Sequence, residues 1–392
     1  MTAPGPVVPA MGDFGGTMRR TPREVVRPAS AREVAAVLAR AGGTIPVVPR
    51  GCGHSTDGRS LTGGISLDMR ALAAIRPVRD APVHGGRVLV EAGATWREVL
   101  EATLPHGLTP PVLTDHLDMT VGGTLAAGGV GGTSHVHGLQ TAAVLELEVA
   151  TADGALLRCS PSRDRELFDA VRGGAGRHGI ITGAALRLVP APRRVLSCKI
   201  PCRDAAELLR VQTGTRADHV SGQARPSEDG WRYEAKAVLY DADAPPPGPA
   251  CTEVEELGYL DFADRMRPDV EELIALGEWA RPHPWAMAFL PGRAAAAFIE
   301  RTLAAMGRAE LGLSGVVLIK ALTGVDGIAD PVLFGLLRTA SPGCAPVGAM
   351  LAANRDFHAG ARAAGGRPYP PAGAPGRPPN TGQPLATECV DW

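Results

Sequence analysis

The sequence lacks both a large net charge and a cysteine framework. Its 392 residues include 40 basic and 41 acidic side chains, so the composition gives no sign of a basic surface for nucleic acid or an anionic membrane. The seven cysteines are scattered and contain no C-x-x-C pair, which indicates reduced thiols rather than disulfides or a zinc site. We therefore expect small-molecule partners and no nucleic acid.

Long apolar runs are also missing. No stretch reaches the roughly 18 apolar residues that a membrane span needs, and the first thirty residues lack the basic and apolar regions of a signal peptide. These features predict a cytoplasmic protein that does not enter the membrane. The length suffices for two domains, and the sequence leaves the oligomeric state open.

Glycine, in contrast, is abundant and clustered. Three loops are rich in it: "RGCGHS" at 50–55, "TVGGTLAAGGVGG" at 120–132 and "GGAGRHGIIT" at 173–182. Glycine allows positive φ and close approach to a ligand, and the exposed N–H groups can bind phosphate oxygens. Walker A is absent, as is a dinucleotide fingerprint in a βαβ setting. Any one loop alone could be only a tight turn.

Periodicity predicts two α+β units. Residues 24–195 alternate strands and helices around the three loops, with a helix opening at Ser30 and a hairpin turn at Asp153-Gly154. Residues 196–349 form the second unit. Its predicted helices lie at 204–214 and 261–278, and its predicted strands at 231–240, 286–290 and 315–321. The last thirty residues are rich in proline and glycine and predict little regular structure.

The order of the motifs resembles a known family. "RGCGHS", "TDHLDMTVGGTL" and "RELFDAVRGGAGRHGIIT" are similar to the PCMH-type FAD-binding domain of the vanillyl-alcohol oxidase and p-cresol methylhydroxylase superfamily. A block ending in "PHPW" makes the chain most similar to cytokinin dehydrogenases. The resemblance implies an α+β fold with a two-subdomain FAD domain and an α+β substrate domain whose antiparallel sheet covers the flavin. It also implies that 350–392 returns to the FAD domain, although the ending diverges from the family pattern.

The resemblance implies a set of cofactor residues. His54 matches the histidine that is covalently bonded to the 8α-methyl group of FAD, although a loop histidine that only hydrogen-bonds is the alternative. The second loop has no cysteine, so a single covalent bond is expected. The other matched positions are Gly51, Cys52, Gly53, Ser55, Arg59, Thr120, Gly122, Gly123, Thr124, Val130, Ile180 and Tyr369.

The resemblance also implies a reaction. Asp115 matches a catalytic base that takes the N–H proton of a small amine while hydride moves from the C–N carbon to flavin N5. Oxygen or a quinone-like acceptor then reoxidises the flavin. The matched substrate-facing positions are Glu271 or Glu272, Trp285 and Met287.

The pocket departs from the family, and alternatives stay open. His116 and Asp118 stand where aromatic residues are common, which disfavours an isoprenoid-adenine substrate. One alternative is an alcohol oxidase acting on C–O bonds. Another is a protein that keeps FAD as a scaffold for cyclase-like, non-redox chemistry or for binding alone.

A pair of histidines invites a metal interpretation. His135 and His137 are two residues apart, and on a strand they would point to one face. No acidic or cysteine cluster accompanies them. We predict no metal site.

Overall fold

A computed structural model describes residues 11–79, 86–245 and 251–370. The helices in these ranges are α1 Ala31–Ala41, α2 Trp96–Thr103, α3 Val121–Ala127, α4 Ser134–His137, α5 Arg165–Val171, α6 Ala205–Gly214, α7 Tyr259–Ala263, α8 Met266–Ala275, α9 Gly292–Ala304, α10 Arg308–Leu311 and α11 Val347–Ala363. Short 3₁₀ helices cover Met69–Ala71, Leu104–His106 and Gln140–Ala143.

The strands follow the same chain order. Those before residue 194 are β1 Glu24–Val26, β2 Val47–Arg50, β3 Ile65–Asp68, β4 Ile75–Arg79, β5 Gly86–Glu91, β6 Leu108–Thr109, β7 Val144–Ala150, β8 Leu156–Cys159 and β9 Ile180–Pro190. The later strands are β10 Arg194–Cys202, β11 His219–Ser227, β12 Gly230–Tyr240, β13 Glu253–Gly258, β14 Ala286–Leu290, β15 Val316–Ala321, β16 Val332–Leu337 and β17 Arg367–Pro368.

Three sheets organise these strands. A parallel sheet has the order β1-β3-β2, and an antiparallel sheet has the order β4-β5-β9-β7-β8, with β6 pairing to β9. The second domain contains an antiparallel sheet in the order β13-β10-β12-β11-β15-β16-β14-β17. The predicted α+β class is therefore confirmed, with two sheets in the first half of the chain and one large antiparallel sheet in the second.

Local signals predicted several elements correctly. Helix α1 begins after Ser30, whose hydroxyl accepts from the Glu33 N–H, and ends at Gly42 with φ 56°. The hairpin β7–β8 turns at Gly154, with φ 86°. Such caps and turns depend on a few neighbouring residues, so the sequence alone reveals them.

One local prediction was wrong. The single helix expected at 261–278 is two helices, with Tyr259 and Phe262 of α7 in the core and a break after Ala263. Pro268 accounts for the break, because it has no N–H for the Asp264 carbonyl and its ring would clash with that carbonyl in a continuous helix. His135 and His137 lie on the short helix α4. They therefore do not share a strand face.

The C-terminal part of the described chain is more regular than expected. Helix α11 runs across the predicted boundary between residues 349 and 350, and β17 pairs with β14. The remainder of the proline-rich ending, 371–392, lies outside the described residues. No helix in the described ranges has the length and apolarity needed to cross a membrane.

Candidate active site

The first glycine loop follows β2 and carries His54. A Cβ atom on Gly51 would come within 2.1 Å of the Thr120 hydroxyl oxygen, so this position requires glycine. Gly53 has φ 82°, a conformation that glycine adopts at little cost. The first loop therefore packs against the start of α3, which belongs to the second loop.

The second and third loops meet at the other end of α3. The Gly173 N–H donates to the Leu125 carbonyl at 2.9 Å, and the Ala175 N–H donates to the Ala126 carbonyl at 2.8 Å. Gly122 allows α3 to approach the end of β5, because a Cβ there would lie 2.7 Å from that of Ala92. Folding thus brings all three loops together around one short helix.

The predicted cofactor residues of α3 differ in their surroundings. The Thr124 hydroxyl accepts from Trp96 Nε1 at 2.7 Å and donates to the Val121 carbonyl at 3.2 Å, so it joins α2 to α3. Gly123 is exposed, and a Cβ there would meet only the Thr120 hydroxyl, at 3.0 Å. Gly123 thus leaves open space beside the loop, whereas Thr124 is buried in packing.

The C-terminal strand brings Tyr369 to the same loops. Its hydroxyl donates to the Gly128 carbonyl at 3.1 Å, and its ring lies 4.7 Å from that of Phe289. Tyr369 packs with Val130 and Met287 in one apolar cluster. Arg59, in turn, donates to the Pro370 carbonyl at 3.2 Å. Residues predicted from distant motifs therefore lie together here.

The remaining predicted residues of the first loop and Ile180 are held by contacts within the protein. Ser55 donates to Asp13 at 3.3 Å, and burial raises the pKa of the Cys52 thiol to about 11, so Cys52 is not a reactive thiolate. Ile180 begins β9 and is buried in the core of the FAD domain.

His54 lies among aromatic rings. Its ring is 4.8 Å from that of His116 and 5.7 Å from that of Phe14, with Trp279 at 6.3 Å. Burial lowers the pKa of His54 to about 3, so the imidazole is neutral. Its Nδ1 atom is buried and has no hydrogen-bond partner among the described residues. Such a nitrogen normally has a partner.

An N-terminal strap, residues 12–16, holds the His54 loop and was missed in the sequence. The Asp13 carboxylate accepts from the Gly58 N–H at 2.6 Å, and the Phe14 N–H donates to the Gly53 carbonyl at 3.0 Å. The Phe14 ring stacks on His283 at 4.1 Å. The short run "GDFGG", an acidic and an aromatic residue between glycines, is the only signal that could have drawn attention to it.

Asp115 is paired with two cations of the second domain. Its carboxylate accepts from Lys320 at 2.6 Å and also from the Arg265 guanidinium. Burial alone would raise its pKa, but Lys320 and Arg265 together hold the pKa of Asp115 well below its usual range. The sequence did not predict either partner, because an isolated lysine in "VVLIKAL" carries no motif.

A second ion-pair network holds the segment that directly follows Asp115. Arg97 donates to Asp118 at 2.6 Å and to Asp264 at 2.7 Å, and Arg267 also donates to Asp264. Desolvation lowers the pKa of His116, so this residue is kept neutral. Asp118 thus positions the loop through Arg97, and His116 is the side chain that contacts His54.

The predicted substrate-facing residues lie in three different places. Trp285 lies 5.4 Å from Phe14, ring to ring, and Met287 belongs to the Tyr369 cluster. Glu271 and Glu272 are exposed on α8, and no described contact joins them to Asp115. The described residues contain no group of three or more side chains suited to hold a metal ion.

The residues present fit FAD. The unpartnered Nδ1 of His54 and the open space at Gly123 lie on loops that fold around the same helix, and the apolar cluster of Tyr369 offers a surface for a flat ring. Glycine loops suit the pyrophosphate of a dinucleotide.

The fold and these loops are those of an FAD-binding protein, and comparison with known proteins shows an FAD-dependent oxidoreductase. Residues 22–160 match the family described as "FAD binding domain", and residues 249–324 match "Cytokinin dehydrogenase 1, FAD and cytokinin binding". The chain belongs to the cytokinin dehydrogenase-type family of FAD-dependent oxidoreductases.

Three relatives illustrate the similarity. "Uncharacterized oxidoreductase ORF5 in fasciation locus" of Rhodococcoides fascians is 36% identical over 92% of this chain and 86% of its own length. Cytokinin dehydrogenase 4 of Arabidopsis thaliana is 32% identical over 81% of this chain and 72% of its own. Cytokinin dehydrogenase 7 of Oryza sativa subsp. japonica is 35% identical over 72% of this chain, which spans 64% of that relative.

Proposed function

We propose that the protein oxidises the C–N bond of a small amine, with Asp115 receiving the N–H proton. One observation carries the proposal: Asp115 directly precedes His116, whose ring lies 4.8 Å from His54. The carboxylate and the histidine proposed to bind FAD therefore belong to the same part of the molecule. Trp285 and Met287 are proposed as further walls of the pocket.

FAD, when bound, supplies the two-electron acceptor that takes the hydride. Asp115 accepts the N–H of the amine as a hydrogen bond and then as a proton. A carboxylate with a lowered pKa is a weak base, but the nitrogen becomes strongly acidic as hydride leaves its carbon. The imine product is hydrolysed by water to a carbonyl compound and an amine.

We propose that His54 is the attachment point of FAD. Its neutral imidazole and unpartnered Nδ1 support this assignment, because a nucleophilic nitrogen requires an unshared lone pair. Acid precipitation of the purified protein tests it: a yellow pellet is expected for the native chain and a white one for His54→Ala. A white pellet from the native, flavin-containing protein would refute covalent attachment.

The relatives direct the choice of amines. Several are named cytokinin dehydrogenases, so N-substituted adenines are the first compounds to test, followed by smaller secondary amines. The polar residue His116, where aromatic residues are common in the family, disfavours an isoprenoid substituent on the amine. Matched alcohols test oxidation of C–O bonds.

Product analysis tests the proposed reaction. Protein, amine and an acceptor, either oxygen or a soluble quinone, are incubated together, and carbonyl, amine and reduced acceptor are measured. Equal amounts of the three are expected. Conversion of the amine without any reduced acceptor would instead indicate non-redox chemistry.

A further inference from the structure

Lys320 is a buried charge in the middle of a sheet. It lies on β15, is 1% exposed, and donates to Asp115 Oδ2 at 2.6 Å. A lysine in such a position is costly unless it is paired, so its pairing with Asp115 accounts for its presence in an otherwise apolar strand.

Arg265 holds the same carboxylate from another element. It precedes α8, donates to Asp115 Oδ1, and donates to the Phe262 carbonyl at 3.0 Å. The two carboxylate oxygens are thus bound by two cations from the second domain. The Asp115 side chain still keeps 30% exposure, so a substrate can reach it.

The positive charge around Asp115 exceeds the single negative charge of its carboxylate. His219 on β11 is buried, and burial keeps its pKa well below the usual value, so it adds no charge. Lys236 on β12 faces Arg265, and its pKa is lowered chiefly by burial. Two cations contact one carboxylate, which favours its charged form.

We propose that Lys320 is a positioning residue that holds the Asp115 carboxylate in place as the hydrogen-bond acceptor for the substrate N–H and keeps it charged between turnovers. This inference rests on the proposed amine oxidation. Lys320 orients Asp115 and favours the release of the proton that Asp115 receives in each turnover. Lys320 itself is assigned no contact with amine or flavin.

The first test reports on Asp115 without requiring activity. The protein is labelled with [4-¹³C]aspartate, and the Asp115 signal is assigned by its loss in Asp115→Asn. Lys320→Met is expected to raise the titration midpoint of Asp115 by roughly 1–3 pKa units. The matched control is Lys199→Met, which removes an exposed, Glu253-paired lysine from the same sheet and leaves the midpoint unchanged.

The second test uses flavin reduction by an amine. Lys320→Met is expected to slow reduction by roughly 10- to 100-fold with little change in the amine concentration needed for half-saturation, since a displaced catalytic group chiefly affects the chemical step. An unchanged Asp115 midpoint together with a native reduction rate would overturn the proposal. If no amine reduces the native protein, the proposed function fails, while the NMR test still decides whether Lys320 controls Asp115.

A double variant keeps the proposal testable if Lys320→Met folds poorly. If Lys320→Met does not fold, the carboxylate left behind is the expected cause, and Asp115→Asn/Lys320→Met should recover folding. Failure of the double variant to recover would show that Lys320 acts independently of Asp115, which contradicts the proposal.

Discussion

At the residue scale, the sequence motif singles out Asp115 but gives no sign of its ion-pair partners. Asp115 stands in a recognisable motif, five residues before Thr120. Lys320 lies 205 residues further along the chain, and only the pairing of sheet and loop brings the two together. The ion pairs of Asp115 therefore depend on the tertiary structure.

Asp115→Asn tests the role of the carboxylate. The amide keeps the size of the side chain but cannot accept a proton, so flavin reduction by an amine should slow by roughly 10²- to 10⁴-fold. Stopped-flow absorbance measures the rate. Asp243→Asn is the control, since Asp243 is an exposed surface residue. Equal reduction rates for Asp115→Asn and the native protein would refute the role.

Gly51→Ala tests the contact between the first two loops. The added methyl group would meet the Thr120 hydroxyl oxygen at 2.1 Å, so one loop must move and FAD should be largely lost on purification. Gly63→Ala is the matched control, because a Cβ there meets nothing within 4 Å. The flavin-to-protein absorbance ratio measures the outcome. Full flavin content in Gly51→Ala would contradict this packing.

At the element scale, local signals account for the caps, the turns and the break between α7 and α8. Pro268 excludes a continuous helix, because it lacks an N–H for the Asp264 carbonyl and would clash with it; in the structure it lies in the first turn of α8, where proline is tolerated. The N-terminal strap carries no periodicity, so it escaped prediction.

Asp13→Asn tests the strap. The amide weakens the bond from the Gly58 N–H, a charge-assisted bond of about 1.5–3 kcal/mol, so the His54 loop should loosen. We expect a lower free energy of unfolding in urea and less acid-stable flavin. Asp153→Asn, in the exposed turn of the β7–β8 hairpin, is the control. If Asp13→Asn has native stability and native flavin content, Asp13 does not hold the His54 loop in place.

At the scale of the whole molecule, the α+β class follows from the sequence pattern and the family resemblance, but the contacts between the two halves of the chain do not. Asp115 pairs with Lys320 and Arg265, and Arg97 pairs with Asp264, so ion pairs cross between the two halves at the site itself. Long-range pairs of this kind leave no local sequence signal.

The paired carboxylates of Asp115 and Asp264 predict that the free energy of unfolding falls in acid. The folded-state pKa values of Asp115 and Asp264 are lowered by their cationic partners, so their stabilising contribution is complete above the unfolded aspartate pKa of about 3.9. It is lost as pH falls from that value through the folded pKa values. Urea unfolding at several acidic pH values should show a steep loss of stability, and Arg97→Met should reduce the slope. An equal slope in Arg97→Met would contradict the contribution of the Arg97 pairs.

The proposed activity requires transfer of electrons from an amine to the flavin. The decisive measurement is anaerobic mixing of the native, FAD-containing protein with N-substituted adenines and small secondary amines while the visible flavin band is recorded. We predict bleaching of the band with at least one amine and strong slowing in Asp115→Asn. A flavin that stays oxidised with every amine, although dithionite bleaches it, would contradict the proposed amine oxidation.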